Sequence, residues 1–160
     1  MSAGTAEVRE TIIAAGEPVP EFTLRRDDGT KFRREDLEGK TSVLVFYPAA
    51  FSPVCNEQLS LYQEVLDEFT ARGATLYGVS VDNAWSLKAF REKLGTEIEQ
   101  LSDFEPKGAT CRAFGVYHPR GFAQRALVVV GPDCVVKWSY QAPSPADLPG
   151  ANLIFDALSE

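Results

Sequence analysis

The chain has 160 residues, a net charge of −7, three cysteines and a single histidine. The length suits one domain with a substantial core, and the acidic balance argues against nonspecific binding to nucleic acid or an anionic membrane. Three thiols make a poor disulfide framework and fit a reducing, cytoplasmic setting; no apolar run approaches membrane-spanning length, and "MSAGTAEVRE" lacks the apolar stretch of a signal peptide.

Residues 1–16 are small and polar and are expected to form a loose arm on a single domain spanning 1–160. "PEFTLRRDDGTKFRREDL" carries an Asp28-Gly29 turn signal between two short strands, an N-terminal β-hairpin. "TSVLVFY" (41–47) is a continuous β-branched and apolar run, read as a central strand buried on both faces. A helix follows, with Cys55, Leu59, Tyr62, Leu66 and Phe69 on one stripe and Gly73 just past its end. "ATLYGVSV" (74–81) is a second buried strand, and Asn83 caps a helix whose apolar side is Leu87, Phe90 and Leu94, stopped by Gly95. "IEQL" (98–101) reads as a short strand and "PKGATCRAF" (106–114) as a short helix containing Gly108. "RALVVV" and "CVVKWSY" flank "GPD" as a hairpin, and "ADLPGANLIFDALSE" ends in a helix with Leu153, Ile154 and Leu158 facing in. Alternating strands and helices followed by a hairpin predict a mixed sheet with helices on both faces, an order that fits a thioredoxin-like α/β sandwich.

The segment "FYPAAFSPVC" places a thiol at a helix start. Ser52 is a good N-cap, Pro53 falls at the first helical position, where its missing N–H costs nothing, and Cys55 falls at the third. First-turn N–H groups lack partners within the helix and favour a negative group beside them, here a thiolate. Cys55 also continues the apolar stripe, so a plain packing role stays open. A Cys–His hydrolase would need His118, in "VYHPRG", which reads as an exposed loop residue. A dithiol oxidoreductase needs Cys-x-x-Cys, and Gln58 stands where the second cysteine would be. The cysteine and histidine spacings make no metal site. A thiolate acting alone on a small electrophile remains, or a redox-sensing thiol.

"PAAFSPVC" resembles the Pro-x-x-x-(Thr/Ser)-x-x-Cys motif of the peroxiredoxins, and the likeness extends through "GEPVPEFTL", "GKTSVLVFYP", "GVSVDNAWSLKAF", "QLSDFEPKGATCRAFGVY" and "GFAQRALVVVGPDCVV". The resemblance implies a thioredoxin-like three-layer sandwich with a central mixed sheet. It implies Cys55 as the peroxidatic cysteine, Ser52 as a hydroxyl donor to the peroxide, Arg125 as the group holding thiolate and substrate, and Pro48 as a shield against water. The backbone N–H groups of Val54 and Cys55 would bind the peroxide oxygens. No cofactor or metal is implied.

This chain departs from the family pattern at two points. Gln58 stands where many relatives carry a glutamate that orients the arginine, and Cys134 stands in "GPDC" where a turn glycine is usual. The chain stops at Glu160 without a C-terminal Val-Cys-Pro resolving motif, and Ser60 occupies the resolving site five residues after Cys55. It therefore looks most like the one-cysteine, alkyl hydroperoxide reductase E-like group. That likeness implies a peroxide substrate and an external thiol reductant: thioredoxin, a glutaredoxin-like or mycoredoxin-like protein, or a low-molecular-weight thiol. Cys111 is a candidate resolving thiol if its short helix unwinds, and Cys134 a weaker one. A homodimer formed around the active-site loop is expected, with Phe51, Phe104, Tyr117 and Phe122 as candidate contacts. The alternative function is a redox sensor or holdase using the same thiol with poor turnover.

Overall fold

A computed structural model describes residues 8–159. The strands are β1 (Thr23–Arg26), β2 (Lys31–Arg33), β3 (Thr41–Phe46), β4 (Ala74–Ser80), β5 (Glu99–Ser102), β6 (Tyr117–His118), β7 (Phe122–Ala123), β8 (Ala126–Val130) and β9 (Val136–Gln141). The α-helices are α1 (Pro53–Glu64), α2 (Leu66–Ala71), α3 (Ala84–Leu94), α4 (Ala109–Phe114) and α5 (Ala151–Leu158). Seven strands form one mixed sheet in the order β2-β1-β5-β4-β3-β8-β9. The β3-β4 and β4-β5 pairs are parallel, and β8, β9 and the N-terminal hairpin run antiparallel to their neighbours.

The period-two alternation of β3 divides the core. Val43, Val45 and Tyr47 face a layer made by α1, α2, α3 and α5, while Leu44 and Phe46 face a second layer that includes α4, Ile13 and Phe22. The three-layer sandwich with a central mixed sheet and an N-terminal β-hairpin is thus the observed architecture. The crossovers β3-α1/α2-β4 and β4-α3-β5 advance in one direction across the sheet, which puts their helices on one face. No helix among the described residues is long and apolar enough to cross a membrane.

Several local expectations hold for stated reasons. Asn83 accepts the Ser86 N–H at 2.9 Å as the cap of α3, and Gly95 ends that helix in the left-handed region. Gly73 follows α2 with φ 76° and donates to Thr70 O. Others need correction. The helix read over Cys55 to Phe69 is two helices, broken at Val65 with φ −114° and ψ 19°. The helix read over 106–114 starts only at Ala109, because Gly108 is its N-cap at φ 72° and not an interior residue. In α5, Ile154 and Ala157 are buried, Phe155 and Leu158 pack against them, and Leu153 does not join that cluster. His118 lies in β6, with Nδ1 accepting the Arg120 N–H at 3.0 Å and its ring stacked on Phe122, so it is no exposed loop residue.

The loose arm is also corrected where it is described; residues 1–7 lie outside the described residues. Arg9 N–H donates to Arg112 O and Ile13 N–H to Phe114 O, both at 2.9 Å, Gly16 N–H donates to Val136 O, and Ile13 is fully buried. Composition missed this because main-chain hydrogen bonds to α4 and β9 do the docking. Gly115, at φ 75°, lies under the arm, and a Cβ there would sit on Thr11 O. Gly115→Val is expected to destabilise by about 2–5 kcal/mol, from left-handed strain plus steric clash. Thermal unfolding should register a drop of roughly 10 °C, with faster proteolysis in the arm. A change of under about 2 °C would show that the arm does not depend on this close approach.

Candidate active site

The loop between β3 and α1 builds the site. β3 pairs antiparallel with β8, and Phe46 stands opposite Ala126. That register sets Arg125 beside the end of β3, where the loop to α1 begins. Ala50 N–H donates to Asp82 Oδ2 at 2.8 Å, and Ser80 Oγ donates to the same oxygen, tying the loop to the end of β4. Phe51 holds φ 70° and packs its ring on Phe90 of α3, with centroids 5.1 Å apart. A non-glycine residue in that region is strained by about 1–3 kcal/mol, and the Phe90 contact and the Asp82 anchor hold it there.

Ser52 is the N-cap of α1 by position, but its side chain makes no capping hydrogen bond. Its hydroxyl is therefore not committed to the helix, contrary to the expectation of a good side-chain cap. Pro53 occupies the first position and Cys55 the third. The first intrahelical bond runs from Asn56 N–H to Ser52 O at 3.0 Å. The amides of Val54 and Cys55 thus precede the helical ladder and have no carbonyl within it. Pro48 is half-buried at the start of the loop.

Cys55 is buried, in the cluster that contains Tyr47, Leu59 and Tyr62. It both extends the apolar stripe and meets a cation: Arg125 Nη2 lies 3.2 Å from Cys55 Sγ. The guanidinium is itself buried, and each of its edges is engaged. Nη1 donates to Gln58 Oε1 at 2.5 Å, and Nε donates to Pro145 O at 2.8 Å. A planar fork held at three corners has little freedom to leave the sulfur. Gln58, an uncharged residue, accepts from the arginine through its amide oxygen.

The structure separates the other two thiols from this site. Cys111 belongs to the opposite core layer, with Leu44 and Phe46, so the sheet stands between it and Cys55. Burial first, and then the nearby Asp103 charge, push its thiol well up. Asp103 caps α4 by accepting the Thr110 and Cys111 N–H groups at 3.0 and 2.8 Å. Cys134 lies in the same layer as Cys111, and burial raises its thiol too. It keeps φ 61° in the β8-β9 turn, so the left-handed position survives without glycine; its N–H donates to Gly131 O and its carbonyl accepts from Val19 N–H.

Sequence reasoning missed Asp82, Tyr47 and Tyr62 as site residues. Tyr47 Oη donates to Gln100 Oε1 at 2.5 Å, and burial raises its phenol well above the ordinary value. Asp82 lies in the quoted "GVSVDN", and Tyr62 lies four residues after Gln58 on the same helix face, so both signals were present without a chemical reason to choose them.

A family model described as the AhpC/TSA family matches residues 15–139. The chain belongs to the AhpC/TSA family. Among the relatives of this AhpC/TSA domain, a peroxiredoxin of Thermotoga petrophila is 32% identical over 128 residues, covering 76% of this chain and 60% of that protein. The chain thus spans about three-fifths of the length of that relative. Alkyl hydroperoxide reductase E of Mycobacterium tuberculosis is 29% identical over 150 residues, covering 92% of this chain and 97% of that protein. The crystal structure of peroxidoxin BcpB from Mycobacterium tuberculosis superposes with a TM-score of 0.79 at 27% identity, covering 92% of this chain and 95% of that one. The resemblance to peroxiredoxins, the reductase E-like group included, is borne out at the level of family and fold.

Proposed function

We propose that this chain is a thiol-dependent peroxidase that reduces hydrogen peroxide and organic hydroperoxides with Cys55 as the nucleophile. The observation that carries the reading is Arg125 Nη2 at 3.2 Å from Cys55 Sγ, with that sulfur in the first turn of α1. The Cys55 thiolate attacks the terminal peroxide oxygen. An S–O bond forms as the O–O bond breaks, and two electrons pass from sulfur to the peroxide. The departing oxygen takes a proton and leaves as water or an alcohol, and the sulfur becomes a sulfenic acid. Negative charge grows on the departing oxygen, so fixed donors aimed at it lower the barrier. We assign that role to the N–H groups of Val54 and Cys55, the Ser52 hydroxyl and the Arg125 guanidinium, with Pro48 shielding the thiolate from water.

An external thiol then attacks the sulfenic acid, releasing water and forming a mixed disulfide, and a second thiol frees Cys55 as a disulfide departs. The reductant is thioredoxin, a glutaredoxin-like or mycoredoxin-like protein, or a low-molecular-weight thiol. A one-cysteine cycle is favoured over resolution by Cys111, because the sheet lies between the two sulfurs and burial keeps Cys111 a thiol. Cys111→Ser is accordingly expected to leave turnover unchanged. Mass spectrometry after one equivalent of peroxide should find a Cys55 sulfenic acid, and a Cys55–Cys111 disulfide would sink the one-cysteine cycle. We place the enzyme in the cytoplasm as a homodimer formed around the active-site loop. The exposed rings of Phe51 and Phe104, at the carboxyl ends of β3 and β5, support that interface, and sedimentation velocity tests it.

Stopped-flow reduction of hydrogen peroxide and of an organic hydroperoxide tests the whole reading. The wild-type protein should react far faster than free cysteine at the same pH. A rate no greater than that of free cysteine would falsify it.

A further inference from the structure

We propose that Tyr62 is a positioning residue for the Cys55 reaction, holding the Gln58 amide in the one orientation that presents its oxygen to Arg125. The inference rests on the peroxidase reading above. A guanidinium only donates, so only the oxygen end of an amide can face it. Gln58 Oε1 occupies that place, 2.5 Å from Arg125 Nη1. Turned over, the amide would set one donor against another, in a site where both side chains are buried.

Tyr62 decides which end faces the arginine. Gln58 Nε2 donates to Tyr62 Oη at 3.2 Å. The phenol proton is already committed, because Tyr62 Oη donates to the Pro149 carbonyl at 2.7 Å, a group that only accepts. The phenol oxygen therefore offers lone pairs to the amide, and the amide must answer with its nitrogen. Every donor direction from Pro149 through Tyr62, Gln58 and Arg125 to Cys55 is fixed by the chemistry of the two ends. Burial pushes the Tyr62 phenol up to about 12, so it keeps its proton through the neutral range.

A glutamate at position 58 would need no such help, since both of its oxygens accept. A glutamine has one right orientation and one wrong one, and Tyr62 selects the right one. The same turn acts on the arginine directly, because Arg125 Nε donates to Pro145 O at 2.8 Å. The segment between β9 and α5 thus grips the guanidinium at one end directly and at the other through Tyr62 and Gln58.

A double-mutant cycle on the full chain tests this, with second-order rates for hydrogen peroxide and for iodoacetamide alkylation of Cys55 as readouts. Tyr62→Phe in the native background is expected to slow both reactions about tenfold, and in the Gln58→Glu background by about twofold or less. Gln58→Met, which keeps the Tyr62–Pro149 bond, is expected to bring about the same tenfold loss, with no further loss when Tyr62→Phe is added. Equal losses from Tyr62→Phe in the native and Gln58→Glu backgrounds would overturn the proposal, since a packing role does not depend on residue 58. A Tyr62→Phe protein unfolded at 25 °C by circular dichroism would assign the hydroxyl to stability and overturn it as well. Alkylation needs no peroxide and so separates the two readings. If wild-type protein fails against peroxide, the peroxidase reading falls, while the alkylation cycle still upholds or overturns the role of Tyr62.

Discussion

Cys55→Ser is expected to abolish peroxide reduction while leaving the fold in place. The serine oxygen fits the same buried position and accepts from Arg125 Nη2, so the cost in stability should be on the order of 1 kcal/mol. Chemistry is another matter. A hydroxyl has no accessible anion at neutral pH and lacks the soft, polarisable sulfur that attacks an O–O bond. The two remaining thiols offer no substitute, because burial raises both Cys111 and Cys134 and their core layer lies across the sheet from the site. Stopped-flow peroxide consumption should fall to the buffer rate, with thermal unfolding changed by only a few degrees. Consumption that persists near the wild-type rate would move the nucleophile to another cysteine.

Arg125→Met is the second large effect. Methionine fills most of the volume but removes the cation 3.2 Å from Cys55 Sγ and the donors to Gln58 Oε1 and Pro145 O. Losing one fixed donor to a developing anion costs about 10²–10³-fold in rate, and a loss of that size is expected in the second-order constant for hydrogen peroxide. Stability moves less. Two buried acceptors lose their partner, each at about 1–3 kcal/mol, and relief from burying a guanidinium offsets part of this. A net loss of roughly 1–3 kcal/mol by urea unfolding is expected. Arg125→Lys should fall between, since a lysine keeps the charge but cannot reach three acceptors in one plane. A methionine variant retaining a third or more of the wild-type rate, on the order of 1 kcal/mol at most, would remove Arg125 from the mechanism.

Much of the fold was legible because its signals are local. The Asn83 cap, the glycines at 73 and 95, and the buried runs at 41–46 and 74–80 each act within a few residues. What failed to show was set by partners far along the chain. The arm carries no apolar period, yet it docks through main-chain hydrogen bonds to residues about a hundred positions away. The β6-β7 pair has two residues per strand, too short for any alternation to register. Ser52 has the residue type of a cap and the position of one, but its hydroxyl makes no capping bond; residue type alone cannot decide that.

The sequence by itself determined where the thiol stands. Ser-Pro-x-Cys after an apolar strand is local punctuation for a helix start, and it marks Cys55 as a first-turn residue of α1. Only the tertiary structure decided what surrounds that sulfur. The register of β3 against β8 brings Arg125 across 70 residues to Cys55. The turn after β9 brings Pro149 across 87 residues to Tyr62, and so fixes which way the Gln58 amide points. The packing of α1 and α4 on opposite faces of the sheet sends Cys55 and Cys111 to opposite core layers. Such contacts arise from strand pairing and shared burial, and no short-range pattern in the chain encodes them.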